Sequence, residues 1–237
     1  MKRNFVKSLC VVLSAALLLT GCGTWNNTAK GGAIGAAGGA VGGAAIGALI
    51  GKLTGKVGVG AAIGGAVGTA VGAGTGVIIG KRMDKAAAAA AEIENAKVET
   101  VTDANNLTAV KVTFSSGLMF DTNKYNLKKD AKSDLADFSK VLIEFADADV
   151  AIFGHTDSTG SDKINDPLSL NRANAVAEYL LSKGVAPEQL KTVEGKGSKE
   201  PVADNGTSEG RAENRRVEIY LYASEAMIDA ANNGALE

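Results

Sequence analysis

Cysteine, histidine and aromatic residues are scarce in this chain. It holds two cysteines, one histidine and 5% aromatic residues in 237 positions. Both cysteines, Cys10 and Cys22, lie at the N-terminal end, so the rest of the chain has no thiol for a disulfide framework or a thiol nucleophile. A serine nucleophile would depend on the single histidine, His155, as its base. A metal site built from His155, Asp157 and Asp162 lacks tight ligand spacing. Catalysis, a metal and a cofactor are therefore not expected. A net charge of −1 gives no bulk attraction to nucleic acid, and the length suits one or two domains.

The N-terminus reads as an export signal. Met1, Lys2, Arg3 and Lys7 frame a basic start, and Ser8 to Leu19 is an apolar run. Leu19-Thr20-Gly21-Cys22 follows and looks like a bacterial lipobox. That resemblance implies removal of residues 1–21, which carry Cys10, and lipidation of Cys22 on its sulfur and amine, palmitate included. It also implies sorting to the outer membrane, because Gly23 rather than an acid follows the cysteine. More than one acyl chain makes such an anchor stable. Residues 22–30 then form a lipidated tether.

Glycine is abundant instead, with 30 in all and 19 between Gly31 and Gly80. One series runs Gly31, Gly35, Gly39, Gly43, Gly47, Gly51, Gly55, and a second Gly60, Gly64, Gly68, Gly72, Gly76, Gly80. Period four on a helix places glycine along one stripe, where another backbone can approach closely. Lys52 and Lys56 mark the tip between two arms. The first arm, Gly32 to Gly51, would be about 30 Å long as a helix. Residues 31–80 are expected to form a glycine-zipper helical hairpin that associates with a membrane and with itself as a homo-oligomer. A flexible low-complexity spacer is the alternative. Residues 81–97, with the run Ala86 to Ala91, read as a helical linker.

From residue 98 to 222 the composition is that of a globular domain. Val98–Val101 and Leu107–Phe114 are β-rich around the turn Asp103-Ala104-Asn105-Asn106, which predicts a hairpin. Leu127–Phe145 places Ala131, Leu135, Phe138, Leu142 and Phe145 on one helical face. A buried strand over Val150–Phe153 leads to a second helix, Leu168–Leu181, with Ala173, Val176, Ala177, Leu180 and Leu181 inward. Asn165 or Asp166, ahead of Pro167, is expected to cap it, and Gly184 to end it. Strands over Leu190–Glu194 and Arg216–Tyr222 complete an α+β, two-layer sandwich with helices on one face of a mixed sheet. The tail, residues 223–237, has no assigned element.

The stretch Gly154 to Leu180 carries the chemistry. Asp157 leaves a strand and Arg172 lies early in the following helix. Such a pair, held a few ångströms apart, would clamp a zwitterion. Taken singly, Asp157 could merely cap its turn and Arg172 could be a solvated helix residue. Phe120 reads as packing, and of Arg215 and Arg216 one is expected to face solvent or pair with an acid.

Five ordered motifs decide for the clamp. They are Phe120-Asp121; Gly154-His155-Thr156-Asp157-Ser158-Thr159-Gly160; Leu168-Ser169-Leu170-Asn171-Arg172-Ala173-Asn174-Ala175-Val176; Gly195-Lys196-Gly197 with Pro201; and Asn214-Arg215-Arg216-Val217-Glu218-Ile219. In this order they resemble the OmpA-like peptidoglycan-binding domain. With the lipobox and glycine zipper, the whole resembles YiaD-type outer-membrane lipoproteins. The resemblance implies a non-catalytic grip on diaminopimelate of the peptidoglycan stem peptide, by a domain facing the periplasm. Matched motif to motif, Asp157 takes the ammonium and Arg172 the carboxylate, with Asp121, Thr122, Thr156, Asn165 and Arg216 as supporting positions. An alternative function is membrane insertion, oligomerisation or envelope assembly by the glycine zipper, with wall binding only positioning it.

Overall fold

The computed structural model describes residue 71 and residues 73–236. Most of the glycine-zipper stretch, the export signal and Cys22 lie outside the described residues. A helix, α1 (Ala73–Ala91), precedes a hairpin of β1 (Lys97–Thr102) and β2 (Thr108–Ser115). A single turn, α2 (Ser116–Met119), then α3 (Lys129–Glu144), β3 (Ala148–Gly154) and the long α4 (Asp162–Ser182) follow. A 3₁₀ turn at Pro187–Gln189 enters β4 (Leu190–Gly195), and α5 (Ser208–Asn214), β5 (Arg216–Ala223) and α6 (Glu225–Asn232) close the chain.

The sheet order is β1-β2-β5-β3-β4. All neighbours are antiparallel except β3 and β4, which run parallel because α4 connects them as a crossover. Alternation sorts the two faces. Val150, Ile152, Val217, Ile219 and Leu221 face the helices in the main core, with Leu135, Phe138, Leu142, Val176 and Leu180. Ala151, Phe153, Tyr220 and Tyr222 form a smaller cluster on the opposite face, where Phe153 and Tyr220 meet edge to face at 5.7 Å. The α+β architecture with helices on one side of a mixed sheet is the expected one, and all five core positions expected on α3 are buried.

Three expectations need correction. First, α4 starts at Asp162, six residues before Leu168, and Pro167 lies inside it. Proline's fixed φ suits a helix and costs one ladder bond there, so its missing N–H does not mark the start. Neither Asn165 nor Asp166 is the cap; Ser161 holds that position and its carbonyl accepts from the Ile164 and Asn165 amides. Second, Leu181 is 38% exposed, not inward. Third, the helix read as a linker begins at Ala73 and packs onto the domain, so residues 73–80 lie in a helix continuous with it. Ile79, Met83, Ala86 and Ala90 recur on one helical face and are fully covered in the main core. Arg82 pairs with Asp147 at 2.6 Å and stacks on Phe145. The unassigned tail supplies the other side of this contact: α6, capped by Ser224 accepting from the Met227 amide at 3.0 Å, buries Met227, Ile228 and Ala231 against the same core.

Helix α4 seats on the sheet through missing side chains. A Cβ on Gly154 would overlap the Ser169 carbonyl, and one on Gly195 would overlap the Leu170 amide. These glycines let helix and strands touch backbone to backbone.

The packing of α1 sets a stability expectation. Met83→Ala should lower the unfolding free energy by about 2–4 kcal/mol in urea titrations. A change under about 0.5 kcal/mol, the size expected for an exposed position, would return α1 to the role of a loose connector.

Candidate functional site

The site forms where β3 ends and α4 begins. Beyond Gly154 the chain stays extended, pinned on both sides: the His155 amide donates to the Arg216 carbonyl at 2.9 Å, and the Thr156 amide to the Gly197 carbonyl at 2.8 Å. Asp157 then turns the chain, its Oδ1 accepting from the Thr159 amide at 2.8 Å. Asn165, buried on the first turn of α4, donates to the carbonyls of Asp157 and Thr159 at 3.3 and 3.1 Å. Freed from capping, this amide ties the Asp157 loop to the helix. Arg172 lies seven residues along the same helical face.

Arg172 is 4% exposed. Its Nε donates to the Lys124 carbonyl at 3.1 Å, and its guanidinium lies 5.3 Å from the Phe120 ring centroid. Phe120, itself buried, is thus both packing and a platform for the cation. No carboxylate lies within ion-pair distance of Arg172 among the described residues. Burial and then the like charge of Arg215 push its pKa below the ordinary value, against the pull of Asp157. Asp157 has the opposite balance. Burial pushes its carboxyl up, but the Arg215 guanidinium, 2.5 Å from Oδ2, and the Thr159 amide together hold it below the usual range.

These groups line one cavity of about 520 Å³, within the range of small-ligand sites. Of the expected positions, Asp157, Arg172, Asp121, Thr122, Thr156 and Asn165 all border it. Asp121 is an exposed rim carboxylate paired with Lys124 at 3.2 Å and Lys128 at 3.7 Å. Arg216 does not border it. Strand alternation sends Arg216 to the other sheet face, where its Nε donates to Glu218 at 2.8 Å. Glu218, fully buried, also accepts from Tyr220 at 2.7 Å and pairs with Lys111 at 3.3 Å. Arg215 and Arg216 therefore both pair with acids. Among the cavity residues that sequence reasoning left out are Ser116, Lys128, Arg211 and Arg215. Arg211 and Arg215 are four apart in the Gly210 to Arg216 run, and that helical spacing was the available signal.

His155 points away from this chemistry. It is 1% exposed, neither ring nitrogen has a hydrogen-bond partner among the described residues, and Glu218 Oε2 lies 3.7 Å from Nε2. Burial, then the Arg216 charge, pushes its pKa down to about 3. Among the described residues no group of histidine, cysteine, aspartate and glutamate could hold a metal ion.

Residues 119–215 match the OmpA family, and residues 1–84 match the YMGG-like Gly-zipper family. The domain is an OmpA-family domain, carried behind a glycine-zipper segment. The chain is 40% identical over 106 residues to the probable lipoprotein YiaD of Escherichia coli strain K12, covering 45% of this chain and 48% of that one. It is 59% identical over 75 residues to the peptidoglycan-binding protein ArfA of Mycobacterium bovis, covering 32% of this chain and 23% of that one. The cell wall anchor of the T6SS from Pseudomonas aeruginosa aligns with a TM-score of 0.50 at 26% identity, over 60% of this chain and 98% of that one. The chain spans less than half the length of the curated relatives just named. ArfA and the T6SS anchor are, by name, a wall binder and a wall anchor rather than enzymes.

The buried histidine gives a pH expectation. The unfolded chain protonates His155 near pH 6.5, while the folded chain does so only near pH 3. The unfolded state then holds the extra proton, so stability falls as pH drops below about 6.5, by up to about 1.4 kcal/mol per unit. Urea titrations at about pH 7 and about pH 5 should show a larger loss for the wild type than for His155→Gln, which cannot titrate. Equal losses would show that the imidazole is protonated in the folded protein.

Proposed function

We propose that the domain binds peptidoglycan non-covalently by clamping the zwitterionic end of diaminopimelate in the stem peptide. Arg172 takes the carboxylate and Asp157 the ammonium; Asp121, Thr122, Thr156 and Asn165 shape the walls. The observation that carries this reading is Arg172, a buried guanidinium with no carboxylate partner among the described residues, opening on a cavity that also presents Asp157. A buried charge without a counter-ion is costly, and a bidentate carboxylate would relieve it. The wall-binding names of ArfA and the T6SS anchor support the same reading. It requires no catalysis.

In this reading the chain is an outer-membrane lipoprotein, lipidated at Cys22 and facing the periplasm, that tethers membrane to wall. The match to the YMGG-like Gly-zipper family supports a second task for the segment before α1, in self-association or membrane insertion. Among the described residues no helix is long and apolar enough to cross a membrane.

Co-sedimentation with isolated diaminopimelate-type peptidoglycan tests the clamp. A fragment starting at residue 71, so that α1 is retained, should pellet with the wall. Asp157→Ala and Arg172→Ala, each with an unchanged circular dichroism spectrum, should each weaken binding by about tenfold or more. Folded variants that pellet like the parent would remove the clamp and move attention to the glycine zipper.

A further inference from the structure

The cavity carries more positive charge than a zwitterion can satisfy. Lys128, Arg172, Arg211 and Arg215 line it against only Asp121 and Asp157, a surplus of two cations. The end of diaminopimelate, with one ammonium and one carboxylate, has no net charge and leaves that surplus in place. Two further observations point to an anion. Arg211 has no carboxylate within ion-pair distance among the described residues; its Nη1 donates only to the Asn205 carbonyl, at 2.9 Å. The hydroxyls of Ser116 and Thr156, residues 2% and 5% exposed on the cavity wall, have no partner among the described residues.

Arg215 already pairs with the acid of the clamp. Its Nη1 lies 2.5 Å from Asp157 Oδ2, the oxygen not engaged by the Thr159 amide. It stands where the ligand ammonium has to arrive. Its side chain is 39% exposed, and its amide donates to the Arg211 carbonyl at 3.1 Å, so the two guanidiniums leave the same helical turn. Like charges at this spacing repel, and an anion between them removes the repulsion.

The geometry points to a second anion subsite, formed by Arg215 and Arg211, that binds another carboxylate of the same stem peptide once the ligand ammonium takes over Asp157. This rests on the clamp proposed above. Arg215 is then a surrogate cation for Asp157 before the ligand ammonium arrives and a specificity residue afterwards. Ligands offering only a zwitterion displace it without return, whereas ligands with an adjacent carboxylate recover its charge. Stem peptides offer two such groups, the α-carboxylate of γ-linked D-glutamate and the C-terminal carboxylate of D-alanine.

Isothermal titration of the full chain in detergent separates the possibilities. The probes are the tetrapeptide L-Ala-γ-D-Glu-meso-diaminopimelate-D-Ala and two analogues, one amidated at the glutamate α-carboxylate and one at the C-terminus. Wild type should bind the tetrapeptide about tenfold tighter than one of the amides, and that amide identifies the carboxylate read. Arg215→Gln should bind all three alike. Arg215→Lys, which keeps the charge but loses the fork, serves if the glutamine variant does not fold, and should narrow the preference. Equal wild-type affinity for the three peptides overturns the subsite, as does a preference that survives in Arg215→Gln. A uniform loss with the preference intact would make Arg215 only a support for Asp157. Asp157→Asn separates this from the clamp: if it binds every peptide like wild type, the clamp itself fails. If it binds none while wild type does not discriminate, only the second subsite is wrong.

Discussion

The contact on which the site depends contains no functional side chain. Helix α4 lies directly on β3 and β4 because Gly154 and Gly195 have no Cβ to hold it off the backbone of Ser169 and Leu170. Asp157 comes three residues after Gly154, and Arg172 three residues after Ser169. The seam therefore sets the separation of the two charges from the backbone outward. Asn165 adds a second fixed point by holding the Asp157 loop to the first turn of the helix. A methyl group at either glycine would shift the helix, and the two charges with it.

Electrostatics then keeps the two charges available. Asp157 and Arg172 face one cavity but lie beyond ion-pair distance of each other; Arg215 holds the acid, and Phe120 with the Lys124 carbonyl holds the base. On the other side of the sheet the charges are paired, with Lys111 also 3.2 Å from Glu99. Glu218 gathers Arg216, Lys111 and Tyr220 in a buried network, as an interior charge requires. That network fixes the start of β5, whose Arg216 carbonyl receives the His155 amide and so helps aim the strand end toward the cavity. One arginine of the pair at 215 and 216 thus faces the site while the other secures the sheet beneath it.

The parts legible in the sequence were those written in local periodicity or in motif order. The α3 core face, the Asp103–Asn106 turn and the five strands followed from spacing, and the gathering of Asp157, Arg172 and Asn165 from the resemblance that the ordered motifs carry. Less legible were features set by tertiary contact. Pro167 looks like a helix start, yet a single lost ladder bond was outweighed by packing along α4. The alanine run in α1 reads as exposed helix because alanine is the best helix former in any setting; only Ile79, Met83 and their partners on the sheet show it to be core. Arg215 resembles its neighbour in sequence, and which one reaches the cavity depends on the strand's phase.

The placement of α1 has a mechanical consequence. Tension arriving from the chain ahead of Val71 enters the domain at α1, not at the edge strand β1 that follows it. The first bonds loaded are the Thr75 contact to Asn232 on α6 and, two turns on, the Arg82–Asp147 bridge. Behind them the buried stripe from Ile79 to Ala90 must slide as one body before β1 feels any pull. Helix α6 thereby acts as a brace at the point of load, and the cavity bordered by Asp157 and Arg172 is lined by other elements.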